Sequence, residues 1–414
     1  MWANKWPLVP ISELYEGLYD GPHATPKPAT AGPVFLGIKN VTDDGRLDLA
    51  DSEIRHIAEE DFAAWTRRVE PRPGDLVFTY EATLNRYAII PIGFRGCLGR
   101  RMALIRTDGR RVNARYLHHY FFTPEWRTLI KRHTLSGATV DRIPLNRFPE
   151  FPVRVPPLPV QERIAGILSR YDDLIENCER RIRSLDEMAR ALYREWFVLF
   201  RYPGFEKSPQ VESPRGMIPK GWRWEPLSGV ASVNAKQVDA RHAPNLIHYI
   251  DISSVGPGVV ENVVDYAFTD APGRARRVVS HGDILWSCVR PNRRSHALVL
   301  HPDEATIGST GFAVLTAERV PCVYLYSATT TDSFVSYLEK RATGAAYPAV
   351  TARVFEEAPL LVPDKSVLER FGAMAGPAAE AVAQLRRRMA NLRKTRDLLL
   401  PRLLSGELSV DSAA

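Results

Sequence analysis

The chain has 414 residues, a formal net charge of +7, 45% apolar and 25% charged residues. That length holds two or three domains with cores of their own, and that composition excludes a disordered or fibrous chain. Cys97, Cys178, Cys288 and Cys322 lie far apart, so neither a disulfide framework nor a cysteine zinc motif is expected. The N-terminus has no signal-like apolar run and no window is long and apolar enough to span a bilayer, so a cytoplasmic chain with no membrane partner is expected.

Residues 1–158 predict a first α/β domain. Val34–Ile38 reads as a strand between the loop Asp20-Gly21-Pro22 and the turn Asp43-Asp44-Gly45. Pro73-Gly74-Asp75 is a turn feeding a strand over Leu76–Tyr80, and further strands fit Ala88–Ile92 and Met102–Ile105. Helices fit Asn113–Phe122 and Pro124–Arg132, followed by a loop over Leu135–Val140 and an extended run from Phe151 to Val155. Proline is welcome only in the first turn of a helix, so a long helix starts near Pro159.

That helix, 159–200, carries Ile164, Leu168, Tyr171, Ile175, Cys178, Ile182, Leu185, Ala189, Leu192 and Trp196 at alternating steps of four and three. This is a heptad seam, with Asp172 and Asp173 on the solvated side as a charged face or a partner contact rather than a catalytic dyad. About 33 helical residues reach roughly 50 Å, and so long a seam needs a partner helix. Residues 201–221, rich in Pro, Gly and Ser, read as a surface linker. A second α/β domain is expected over 222–362, a second long helix over 363–408 and a tail over 409–414. Val382, Leu385, Met389, Leu392 and Leu399 repeat the seam, with Arg396 breaking it and Pro377 interrupting or starting the helix.

The chain repeats itself. A shift of 207 residues lays Glu162-Arg163 on Glu369-Arg370, Ile175 on Val382, Ile182 on Met389 and Gly137-Ala138 on Gly344-Ala345. At a shift of 208, His281-Gly282-Asp283-Ile284-Leu285-Trp286 restates Pro73-Gly74-Asp75-Leu76-Val77-Phe78. Tyr249-Ile250-Asp251-Ile252 matches Phe35-Leu36-Gly37-Ile38 in pattern only. The two long helices are therefore expected to pair with each other as a coiled coil. Eight arginines stand against one acid between Arg86 and Arg115, and six against one between Arg274 and Arg294. Clustered arginine is an electrostatic footprint for phosphate.

The run Pro156-Pro157-Leu158-Pro159-Val160-Gln161-Glu162-Arg163-Ile164, the opening Ile218-Pro219-Lys220-Gly221-Trp222 and the ending from Leu392 through Pro401-Arg402-Leu403-Leu404-Ser405-Gly406-Glu407-Leu408 resemble the specificity subunit of type I restriction-modification systems. The resemblance covers nearly the whole chain. It implies two target-recognition domains on antiparallel helices, each domain reading one half of a split double-stranded DNA target. It also implies that the helices dock two methyltransferase subunits, joined by motor-nuclease subunits. Methyl donor, ATP and magnesium then belong to those partners, and this chain is expected to carry no cofactor and no catalytic residue. Leu368 stands where the first half has Gln161, and with Pro377 and Arg396 this puts the straightness of the second helix in question.

No phosphate-binding G-x-x-x-x-G-K-[ST] loop and no glycine-rich methyl-donor loop is present. Gly256-Pro257-Gly258 reads as a turn, His118-His119 as aromatic packing rather than metal, and Cys288 as a half-buried strand residue. No metal site is expected. DNA reading therefore falls to Arg, Lys, Asn and Thr on loops. Candidates are Lys39, Arg86, Arg100, Arg101, Thr139 and Arg142 in the first domain, and Lys236, Arg290, Asn292, Arg293, Arg294 and Arg341 in the second. Two other readings compete: a self-contained DNA methyltransferase or nuclease, and a coiled-coil scaffold without DNA contact.

Overall fold

The computed structural model describes residues 6–49, 54–136, 140–239 and 241–410. The chain divides into two compact units, one holding the described residues up to Asn177 with those from Met389 on, the other Cys178–Arg388.

In the first unit Leu76–Thr79 lies inside a four-stranded antiparallel sheet, ordered Tyr15–Asp20, Met102–Thr107, Leu76–Thr79, Tyr87–Ile89. Its apolar run is buried on both faces. Leu76 and Phe78 enter the main core with Trp126, Phe148 and Ile164, whereas Val77 enters a second cluster with Leu36 and Leu104. That is the two-residue period of a strand sandwiched between layers. A smaller sheet pairs Ala29–Leu36 parallel to Gly96–Leu98, with Arg55–His56 on its other edge. Helices Ala114–Tyr120 and Pro124–His133 begin at Asn113 and Thr123, whose side chains accept from the first free amides.

The second unit is built the same way. Its sheet runs Ala231–Val233, Phe312–Ala317, Ile284–Ser287, His296–Leu298. Ile284 and Trp286 face the main core and Leu285 a smaller cluster. Its second sheet sets Leu246–Ile250 parallel to Thr306–Ser309. So the two segments that match in pattern only, near Phe35 and Tyr249, occupy equivalent parallel pairings. Asp75 and Asp283 accept from Arg72 N and Ser280 N at 2.8 and 2.7 Å, the same turn made twice. Pro257-Gly258 is the turn joining the paired strands Val255–Gly256 and Val259–Val260.

The central helix spans Leu158–Tyr193 and the C-terminal helix Lys365–Leu404. Within each unit the two helices pack antiparallel. In the first, Ile164 and Leu168 share a core with Leu400, Leu403 and Leu404, and in the second Trp196 and Phe197 share one with Val367 and Phe371. Ile164, Leu168, Ile175, Val382 and Leu385 are buried, and Tyr171, Ile182, Leu185, Leu192, Met389, Leu392 and Leu399 are half-buried, so no seam residue faces open solvent. The central helix closes in a wider turn, Arg194–Val198, that buries Trp196 and Phe197 together. No described helix is long and apolar enough to cross a membrane.

Three expectations change. The C-terminal helix is continuous across Pro377 rather than starting or stopping there. Val367, Leu368, Phe371 and Ala375 are anchored in the second core on its N-terminal side, and Val382 and Leu385 are buried on the other, which offsets the lost backbone bond. Asp172 does not lie on a solvated face. Its Oδ1 accepts from Arg396 Nη1 at 2.6 Å, so the residue that breaks the apolar seam does so to meet a carboxylate on the paired helix. Burial holds the Asp172 carboxyl above its usual range despite that partner; burial also works against the Arg396 charge, but the hydrogen bond and charge of Asp172, with Asp397, more than offset it and raise Arg396. Residues 201–221 are not a free linker either: Gln210–Ser213 pairs with Gly216–Pro219, and Tyr202 and Ile218 are core residues of the second unit.

Gln161 is fully buried and ties the start of the central helix to the first domain. Its amide accepts from Asn113 N at 2.9 Å and donates to the carbonyls of Arg111 and Pro156 at 2.9 and 2.8 Å. Leu368 fills the matching place in the second unit by apolar contact instead.

His118 is half-buried against the Gly45 carbonyl at 3.0 Å, and His119 is buried behind it. Burial above all, with the charge of Arg396 nearby, lowers His118 from 6.5 to about 4 and holds His119 well below its usual value. The folded state thus binds fewer protons than the unfolded one between these values. The stability this represents is complete above pH 6.5 and is lost as pH falls toward 4. Thermal unfolding midpoints measured from pH 7 to pH 4.5 should fall accordingly. His118→Gln, which keeps a donor for Gly45 but does not titrate, should flatten that dependence; an unchanged slope would assign the acid sensitivity elsewhere.

Candidate nucleic-acid interface

In each domain one loop joins a central strand of the antiparallel sheet to the edge strand beside it: residues 80–86 in the first and 288–295 in the second. Each is braced by a second segment through the same pair of backbone bonds. Ala82 N donates to Asp141 O at 2.9 Å and Ile143 N to Tyr80 O at 2.8 Å. In the second domain Arg290 N donates to Pro348 O at 2.7 Å and Val350 N to Cys288 O at 2.9 Å. Each loop also holds two residues other than glycine in the left-handed region, Ala82 and Asn85 (φ 69° and 62°) and Arg290 and Arg294 (φ 51° and 54°). Such strained backbone persists where surrounding contacts over-determine it, and it concentrates at binding sites.

Around the first loop Arg142 is exposed, and the bridge between Glu81 and Arg142 sets it beside Arg101, whose Nε lies 3.3 Å from Glu81 Oε1. Tyr80 donates its hydroxyl to Arg100 O at 3.0 Å, placing exposed Arg100 in the same group. Thr139 lies outside the described residues. Arg86 starts from this loop but points away: its Nε donates to Asp43 at 2.6 Å and its Nη1 to Val41 O at 3.3 Å, next to the short helix bearing exposed Lys39.

Around the second loop Asn292 and Arg293 are exposed. Arg290 lies over the Tyr347 ring, 4.5 Å from its centre, and Tyr347 is 69% exposed. Arg294 pairs with Asp332 at the start of helix Asp332–Glu339, and exposed Arg341, beyond its end, lies over Tyr337 at 3.8 Å. Lys236 is exposed but not among them, since its charge bears on Asp283, at the opposite end of the strand from the loop.

The arginine count overstates the free charge. Arg86, Arg95, Arg101, Arg106 and Arg111 pair with Asp43, Glu59, Glu81, Asp75 and Glu13. The Arg106–Asp75 pair is largely buried and braces the turn before Leu76. Those contacts join residues far apart in the chain, so composition could not separate them from phosphate binders. Tyr347 was missed, although the match of Gly344 to Gly137 marked its loop as equivalent to the first domain's. Cys288 is half-buried and its thiol is pushed up to about 11 by burial, so it is no nucleophile. What remains is two braced loops, the first half-buried with exposed Arg100 and Arg142 beside it and the second presenting exposed Asn292 and Arg293. Guanidinium and amide groups make paired hydrogen bonds to guanine and adenine edges and single ones to phosphate.

The type I restriction modification DNA specificity domain matches residues 71–187. The type I restriction enzyme MjaIX specificity subunit of Methanocaldococcus jannaschii is 23% identical over 368 residues, covering 86% of this chain and 82% of that protein. The MjaVIII specificity subunit of the same organism is 21% identical over 333 residues, covering 77% and 76%. The crystal structure of the type I restriction-modification S subunit from M. genitalium superposes over 96% of each chain with a TM-score of 0.59 and 13% identity, which shows a shared fold. Two domains that repeat one topology, with long helices paired in each, accompany a DNA specificity domain match over residues 71–187 and a similarity to type I restriction-modification specificity subunits along most of the sequence.

Proposed function

We propose that each domain reads one half of a bipartite double-stranded DNA target. The first uses the loop at 80–86 with Arg100, Arg101 and Arg142, and the second uses the loop at 288–295 with Arg341 and Tyr347. The observation that carries this reading is the repetition of one loop, braced by equivalent backbone bonds, in both units. A scaffold without DNA contact would have no need of it. The paired helices dock two methyltransferase subunits, which motor-nuclease subunits join, and methyl donor, ATP and magnesium act on those partners. The complex works in the cytoplasm, where its DNA is. Lys39, Arg86 and Lys236 serve the fold or outlying phosphates rather than bases.

The test is to exchange residues 1–155 for the equivalent domain of another family member and sequence the methylated sites in cells carrying the complete system. One half-site should change and the other stay. A change in both halves, or none, would end the reading.

A further inference from the structure

A second cluster of functional groups lies in the second unit, away from the loops. Strand Ile284–Ser287 pairs with His296–Leu298, with Ile284 opposite Leu298. The pairing continues through Gly282 N to Val299 O and Val299 N to Asp283 O, both 2.8 Å. That register sets His281 opposite His301, with ring centres 4.5 Å apart. Glu380, from the C-terminal helix, completes the group: its Oε2 lies 2.9 Å from His301 Nε2. One donor atom from each of the three side chains falls within 4.8 Å of the others.

We propose that His281, His301 and Glu380 bind a divalent transition-metal ion of the zinc class, tying the second domain to the C-terminal helix. Two imidazoles and one carboxylate are a three-ligand set for such an ion, with the fourth position left to water. Metal bonds of about 2.0–2.1 Å need donors roughly 3.3 Å apart, so closure asks for movements of about an ångström in half-exposed side chains. His281 Nδ1 now accepts from His301 N at 3.2 Å, a long bond that coordination at that nitrogen would replace. Magnesium, which prefers oxygen ligands and its own water, does not suit this set.

A further observation favours a ligand over an ordinary His–Glu contact. A cleft lined by His281, His301, Asp303 and Glu304 opens beside the three residues, adding negative charge and access for an ion. The three residues stand 20 and 79 positions apart, so no local spacing could announce them, and the sequence-based expectation of no metal site had nothing to weigh.

The experiment uses the full chain, free of any affinity tag and stripped with a chelator. Zinc titrated by calorimetry should bind at one ion per chain, and cobalt should give the visible absorption of a nitrogen-and-oxygen site. The thermal midpoint should rise with zinc and not with magnesium. Affinity should fall on acidification, because imidazole binds a metal ion only in its neutral form. Glu380→Gln should weaken zinc at least tenfold. His301→Asn, whose new side chain suits the left-handed backbone at that position (φ 53°), should abolish binding while leaving the metal-free midpoint unchanged or higher. Zinc bound with equal affinity by both variants would be adventitious only and would overturn the proposal, as would absence of binding or equal binding of magnesium.

Discussion

Deleting the chain from Met389 onward is expected to unfold the first unit. The deleted segment carries Leu400, Leu403, Leu404 and Val410, each at most 7% exposed in the core that holds Ile164 and Leu168. Each such side chain contributes roughly 1.5–3 kcal/mol by burial. Four of them amount to about 6–12 kcal/mol, comparable with the roughly 5–15 kcal/mol that keeps a whole domain folded. The deletion also strips Asp172 of Arg396, leaving a half-buried carboxylate without its cation. Limited proteolysis of the truncated chain should digest the first domain rapidly while Cys178–Arg388, whose own core is untouched, persists. Equal protease resistance of the first domain with and without the segment would show that the C-terminal helix is not part of its core.

Replacing Asn292, Arg293 and Arg341 together by alanine should abolish specific recognition without disturbing the fold. All three are exposed, so little packing is lost. A good base contact is worth about 1–3 kcal/mol, so losing two or three should cost on the order of a hundredfold or more in affinity for the cognate duplex. Any phosphate contact among them should also make the logarithm of affinity less steep against that of salt. The binding is to be measured on the assembled complex at several salt concentrations, beside the unfolding midpoint. An unchanged affinity and salt slope would remove this loop from the interface. Arg294→Ala is a useful contrast, since that guanidinium is already paired with Asp332 and should matter less.

Much of the architecture could be read without coordinates. Steps of four and three from Ile164 onward announce a long helix because every seventh residue returns to one face, a property of the backbone alone. Turns such as Pro73-Gly74-Asp75 are equally local. The offset of 207 to 208 residues forecast that the second domain would copy the first, and the strand orders agree.

Other features needed the folded chain, because they depend on which distant residues meet. Pro377 is a helix breaker on local grounds, and only the apolar anchors on both sides of it make the helix continuous. Arg396 looked like a defect in a seam until Asp172 was found facing it. A run of eight arginines cannot say that Arg106 is spent on Asp75 while Arg142 stays exposed, since charge is a property of residues and pairing is one of positions. The meeting of His281, His301 and Glu380 is the extreme case: strand register brings two of them together and helix packing brings the third, and neither is written in the spacing of the residues themselves.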